Sequence, residues 1–288
     1  MIGEHTIEKP KVRSSFRRKL GRHFFIWKRK FTWWFGNERY AVPTESSLQK
    51  SNSNRTHRNV YNIINPVSVI KHKSVLLRPL KDVEMYLQHN KVINLQIACK
   101  AINGTVIHPG ETFSLWKLVG KPSKAKGYLE GLALHNGKIA TDIGGGLCQL
   151  GNLLYWMVLH TPMHITERWR HGYDVFPDVN RTIPFACGAT LAYNYIDLQW
   201  INNTSDNFQL NVWLAGEYLH GEIVCDRDLQ VKYEVFETDH FFKQQWWGGY
   251  TRHNKIWKRI IHSQTGEIQE ELVSENNAIM MYNPLLEN

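Results

Sequence analysis

Apolar and polar positions alternate with two different periods along this chain, helical in its first half and strand-like in its second. Between residues 82 and 103 apolar side chains recur at Val83, Tyr86, Leu87, Val92, Leu95, Ala98 and Ile102. That spacing stays close to 3.6 residues and predicts an amphipathic helix stopped by Asn103-Gly104. Thr105–Ile107 reads as a short strand, residues 108–111 as a turn and residues 112–116 as extended chain. The apolar run over 150–159 predicts a buried helix. Beyond it, residues 191–202, 208–214 and 218–225 read as strands, the last two joined at Ala215-Gly216-Glu217 into a meander that 231–237 extends. Residues 256–262 and 268–273 predict a final hairpin. The fold class is therefore α+β, with helices packed around an antiparallel sheet. Three segments follow: a basic aromatic one over 1–58, closed by an exposed loop at 50–58, a main domain over 59–228 and a C-terminal β extension over 229–288.

With 288 residues, 42% of them hydrophobic, the chain can bury a substantial core. Its four cysteines, Cys99, Cys148, Cys187 and Cys225, lie far apart with no C-x-x-C pair. Neither a zinc ribbon nor a dithiol redox site is suggested by that spacing, and a reducing compartment is the simpler reading. Neither a metal nor a cofactor is expected. The net charge of +9 is concentrated, since residues 1–39 hold eleven basic and three acidic side chains. Phe16, Phe24, Phe25, Trp27, Phe31, Trp33, Trp34 and Phe35 interleave with that charge. Such a composition predicts an interfacial helix on an anionic membrane surface. Nucleic acid is not expected, because no finger, helix-turn-helix or sheet signature accompanies the charge. No stretch approaches the roughly 18 apolar residues of a membrane span, and no secretory signal is visible. The expected location is cytoplasmic, peripheral to the inner membrane face.

One run carries candidate chemistry: Asp142-Ile143-Gly144-Gly145-Gly146-Leu147-Cys148-Gln149. It sets a cysteine between a glycine loop and the helix over 150–159. The positive end of a helix dipole lowers a thiol pKa, and Gly144, Gly145, Gly146 and Gln149 supply loop groups that could stabilise an oxyanion. The competing reading is a small buried hydrophobe after a tight turn. A cysteine nucleophile needs a base, usually histidine. His160 lies twelve residues beyond Cys148, about 18 Å along a regular helix, and cannot reach it. His171 follows a break and can fold back; the alternative is an ordinary satisfied histidine.

Several pieces in order resemble the VanW family, across about residues 87–226: Asn94-Leu95-Gln96-Ile97-Ala98, Asn103-Gly104, Pro109-Gly110-Glu111-Thr112-Phe113-Ser114, Gly127-Tyr128, Asn136-Gly137, Gly144 through Gln149, Glu167-Arg168 with His171, Ala189-Thr190 and Ile196-Asp197-Leu198. The resemblance implies a cell-envelope protein linked to glycopeptide resistance and peptidoglycan metabolism. It further implies a cysteine-dependent L,D-transpeptidase-like reaction. Cys148 would be the nucleophile, His171 the base, the backbone around Gly145–Cys148 the oxyanion donors, and Glu167, Arg168 and Asp197 supporting groups. The implied partner is a D-alanine-containing stem peptide or a lipid-linked precursor. One position departs from the family pattern: the aspartate common before the Ala-Thr pair is Gly188 here, leaving Asp197 or Asp174 to orient the histidine. The alternative function is a non-catalytic accessory protein that binds such precursors. A papain-like hydrolase of the NlpC/P60 type is a variant of the enzyme reading.

Overall fold

The computed structural model describes residues 14–43, 62–78, 83–135, 137–177 and 182–284. The loop expected over 50–58 lies outside them. The chain forms two compact units, Met1–Asn37 and Glu38–Asn288. The first holds helix α1 (Ser15–Phe35), whose N-cap is Ser14: its hydroxyl accepts from the Arg17 N–H at 3.4 Å.

The second unit runs β1 (Arg39–Tyr40), β2 (Val67–Val75), α2 (Met85–Ile102), β3 (Thr105–Ile107), β4 (Glu111–Ser114), α3 (Leu115–Val119), β5 (Glu130–His135), β6 (Lys138–Ile143), α4 (Cys148–Leu159), β7 (His164–Glu167), β8 (Tyr173–Asp174), β9 (Gln199–Ile201), β10 (Phe208–Ala215), β11 (Tyr218–Cys225), β12 (Val231–Gln244), β13 (Tyr250–His262) and β14 (Ile268–Met280). The α+β class holds. A central antiparallel sheet has the order β2-β11-β10-β3. Strand period makes one of its faces apolar: Phe208, Leu210, Val212, Leu219, Ile223 and Cys225 are all buried there. Helix α4 presses onto that face at Gly221, where a Cβ would stand 2.5 Å from Met157 Cε and 3.0 Å from Leu153 Cδ2. Leu150, Leu153, Leu154, Met157 and Val158 of α4 are buried, and each such side chain contributes about 2 kcal/mol. Helix α2 packs on β10 and β5 through a face that includes Leu95, Ala98 and Ile102.

A second sheet, β1-β4-β9-β7, carries the stacked rings of Phe113 and Trp200, 3.8 Å apart and fully buried. Extended chain was the expectation for 112–116, but the strand stops at Ser114 and α3 begins. Ser114 caps α3 by accepting from Lys117 N at 3.2 Å, and its own hydroxyl donates to Asp197 at 2.6 Å. Asp197, fully buried, also accepts from the backbone N–H of Trp116 (3.1 Å) and Leu198 (2.9 Å) and from Gln199 Nε2 (2.9 Å). The strand expected over 191–202 shrinks to Gln199–Ile201. A turn at 192–196, with Asn194 at φ 51°, breaks it.

A third sheet, β12-β13-β14-β8, corrects the idea that 231–237 extends the meander. Gln230 takes φ 54° and donates from its N–H and its side chain to Asp228, at 3.0 and 2.6 Å. That turn sends the chain into a separate antiparallel ladder. β8 joins β14 in parallel, with Tyr173 beside Ile279. The β5–β6 hairpin, turning at Gly137 (φ 75°), was not evident from the pattern.

Two predictions follow from this packing. Asp197→Ala strands the Trp116 and Leu198 amides in the interior and should cost about 3 kcal/mol or more in urea unfolding; a loss within experimental scatter of zero would refute the hub. His72 and His160 flank Trp156, with ring centroids 6.1 and 4.7 Å away. Burial lowers both pKa values, aided for His72 by the charge of His160 and for His160 by Lys258. Folded values below the unfolded value of about 6.5 make the unfolded chain the better proton binder. Their stabilising effect is complete above about pH 6.5 and declines as pH falls through the depressed folded values. The urea midpoint should drop between about pH 7.5 and 5.5, less steeply in His160→Gln.

Candidate functional site

Cys148 opens α4 and is half-buried. The loop leading to it is held by backbone approaches that only glycine allows. Gly144 and Gly146 lie at φ 80° and 89°. Gly145 has its Cα against Gly131: a Cβ on Gly131 would stand 2.5 Å from the Gly145 carbonyl oxygen, and one on Gly145 would overlap the Gly131 carbonyl. Asn94 of α2, fully buried, fixes this crossing. Its Nδ2 donates to the carbonyls of Leu129 and Gly145, both at 3.0 Å, and its Oδ1 accepts from Leu129 N at 2.8 Å. Next to it, the aliphatic stem of Lys91 occupies the space a Gly146 side chain would need. The Lys91 ammonium, also buried, donates to Gln88 Oε1 at 2.7 Å. Burial, with help from the charge of Arg78, lowers its pKa to about 8.

The thiol differs from the expectation of a depressed pKa. Burial raises it, while the backbone N–H groups of Leu191 and of Cys148 itself pull the other way and do not compensate fully. Cys148 is thus held as a thiol near neutral pH. The helix dipole acts only over the first turn, and desolvation outweighs it here.

The segment 185–191 packs alongside α4. The Leu191 N–H opposes the upward shift of the Cys148 thiol. Opposite the next turn, a Cβ on Gly151 would touch Leu191 Cδ1 at 3.0 Å and the Ala189 carbonyl at 3.3 Å. Asn152 Oδ1 accepts from Ala189 N at 2.8 Å. Arg168 lies 4.4 Å over the Tyr155 ring and donates to the Gly188 carbonyl at 2.8 Å and to that of Ala186. A Cβ at Gly188 would come within 2.5 Å of Asn152 Oδ1. Gly188 and Asn152 therefore fit one another, and a larger residue at 188 has to displace the Asn152 amide.

Other predicted site residues are placed as follows. Gln149 points to β2, donating to Ser74 Oγ at 2.9 Å and the Val75 carbonyl at 2.7 Å. The N–H groups of Gly144, Gly145 and Gln149 go to the carbonyls of Leu129, Asp142 and Gly146. That leaves the amides of Gly146, Leu147 and Cys148 as oxyanion candidates. Glu167 Oε1 accepts from Asp197 N at 2.9 Å, and the Asp197 carboxylate is occupied in the hub at α3. His171 is half-buried, which lowers its pKa and keeps it neutral near pH 7. Its segment docks on β14: Ile279 N donates to the Gly172 carbonyl at 3.0 Å and Arg170 to Asn277 Oδ1 at 3.2 Å. Asp174 is engaged by Arg252 at 3.3 Å and by the Tyr282 hydroxyl at 2.9 Å. Among the described residues no hydrogen bond or charge coupling joins Cys148 to His171. Nor do they contain a His, Cys, Asp or Glu cluster able to hold a metal. Asn94, Asn152, Lys91 and the Leu191 amide escaped the sequence reading; only Asn94 lay within a quoted motif.

The family model described as VanW like protein matches residues 90–224, which take in most of α2, the glycine loop, Cys148, and strands β3, β10 and most of β11 of the central sheet. Vancomycin B-type resistance protein VanW of Enterococcus faecalis is 36% identical over 205 residues, covering 71% of this chain and 74% of that protein. The chain belongs to the VanW family. The uncharacterized protein YoaR of Bacillus subtilis is 33% identical over 82 residues, 28% of this chain and 27% of its own. No solved structure matches. The family-model match stops at Val224, so the β12–β14 ladder that holds the His171 segment lies beyond it.

The glycine requirements rank differently, and mutation can order them. Gly145→Ala sets side chain against backbone and should cost about 3 kcal/mol or more. Gly188→Asp displaces one side-chain amide and should cost about 1–2 kcal/mol, partly recovered in Gly188→Asp/Asn152→Ala. Additive losses in that double-mutant cycle would contradict the pairing of Gly188 with Asn152.

Proposed function

We propose that this VanW-family protein serves glycopeptide resistance by acyl transfer on D-alanine-containing peptidoglycan stem peptides or their lipid-linked precursors, with Cys148 as nucleophile. The observation that carries this reading is the thiol's position at the start of α4, directly after the glycine loop Gly144–Gly146. Amides at a helix N-terminus stabilise the thiolate that forms when a base removes the proton. In the proposed reaction the Cys148 proton passes to His171 and the sulfur bonds to the donor carbonyl carbon. The Gly146, Leu147 and Cys148 amides hold the resulting oxyanion. Collapse breaks the carbon–nitrogen bond, and the terminal D-alanine leaves with the proton from His171. An acceptor amine then attacks the thioester, forms the new amide and restores the thiol. The scheme requires the 168–174 segment to bring His171 to the sulfur when substrate binds.

A second reading, a non-catalytic accessory protein that binds the same precursors, draws support from the burial-raised thiol and from Gly188. Incubating the full chain with stem peptide and an acceptor amine, then analysing products by mass spectrometry, separates the two. The enzyme reading expects release of D-alanine and an amide-linked product, lost by at least about a thousandfold in Cys148→Ala. It also expects alkylation of Cys148 to accelerate in the presence of substrate and to slow in His171→Ala. Turnover that survives Cys148→Ala would sink it. Binding without turnover, equal in wild type and Cys148→Ala, would establish the accessory reading instead.

A further inference from the structure

Helix α1 carries a surface that the chemistry at Cys148 does not use. Phe16, Leu20, Phe24, Trp27, Phe31, Trp34 and Phe35 are each 59–73% exposed. Their spacing of four, four, three, four, three and one places them on one stripe about 100° wide at 100° per residue. The rings of Phe31 and Phe35 stand 4.7 Å apart and those of Trp27 and Trp34 6.5 Å apart. Monomeric proteins rarely leave a continuous aromatic stripe of this length in water. The rest of the helix circumference carries Arg17, Arg18, Lys19, Arg22, Lys28, Arg29 and Lys30 together with Phe25, Ile26 and Trp33, and the helix sequence contains no acidic residue. Lys30 Nζ lies 5.0 Å over the Trp27 ring, so charge reaches the border of the stripe.

We infer that α1 lies flat in the interface of an anionic lipid bilayer, with the aromatic stripe in the acyl boundary and the basic residues among the headgroups. No helix of the described residues is long and apolar enough to cross a membrane, and seven charges in 21 residues keep α1 from doing so. A helix with a large apolar face and a cationic remainder binds in the plane instead. Trp27 and Trp34 suit headgroup depth, and the long arginine and lysine stems let their charges rise to the phosphates. Nucleic acid would use the basic groups alone and leave the stripe in water. The lipid surface satisfies both features at once, by burial and by charge. This goes beyond acyl transfer and does not depend on it.

The test is sedimentation of the full chain with vesicles of phosphatidylcholine alone and of phosphatidylcholine with about 30% phosphatidylglycerol. Binding should be at least about tenfold tighter on the anionic vesicles. It should weaken by a similar factor in about 0.5 M salt, where the screening length is about 4 Å. The variant Phe24→Gln/Trp27→Gln/Phe31→Gln keeps every charge and a helix-forming sequence, and should lose at least about tenfold in affinity at unchanged melting temperature. Brominated lipid should quench part of the tryptophan emission in the wild type and less of it in the triple variant. Failure to bind the anionic vesicles overturns the inference. So does binding that the triple variant leaves intact, and so does tighter retention by duplex DNA than by vesicles at equal salt, since each assigns the segment to bare charge. Activity at Cys148 on soluble peptide is read separately and decides nothing here.

Discussion

One buried side chain holds the glycine loop in place. Asn94 reaches from α2 to both Leu129 and Gly145, satisfying three backbone groups where β5, β6 and the loop meet. Because it is fully buried, each lost bond would leave a polar group in the interior, a penalty of about 1–3 kcal/mol. The Gly131–Gly145 crossing has room for nothing larger than hydrogen on either backbone, so the amide clamp and the two glycines enforce the same geometry. The position of Cys148 is a consequence, since α4 can begin only where this loop ends.

The electrostatics of the site arise from burial more than from pairing. The Cys148 thiol is pushed up, Lys91 and His171 are pushed down, and desolvation is the leading cause each time. Carboxylates that could oppose these shifts are committed elsewhere. Asp197 serves the second sheet and Asp174 serves Arg252. The packing of the 185–191 segment on α4 is therefore low in mobile charge, and a ligand reaching Cys148 would change the thiol's proton affinity by displacing water.

How much of this was legible depended on whether the signal was carried by side-chain period or by backbone approach. Helices α2 and α4 and strands β10 and β11 were legible because their buried faces repeat at 3.6 or 2 residues. Ser114 ended a strand that period alone would have prolonged, since a capping hydroxyl and a buried carboxylate pull the chain into α3. Asn194 and Gln230 redirected two further segments by adopting left-handed backbone, which residue type alone does not announce. The loop and Cys148 stood out as glycines and sulfur. Leu191 did not, because what it contributes is an amide that any residue other than proline would supply. Asn94, Lys91 and Gln88 look like solvated positions on a helix until β5 and the loop are folded over them.

The parallel pairing of β8 with β14 sets Tyr173 against Ile279, more than one hundred residues apart in the chain. Contacts of such sequence separation form late, because the long intervening loop must close before they are rewarded. During synthesis the α4 region leaves the ribosome well before its last brace exists. The segment bearing His171 gains its final anchorage only when residues 277–282 have emerged, after the domain core rather than with it.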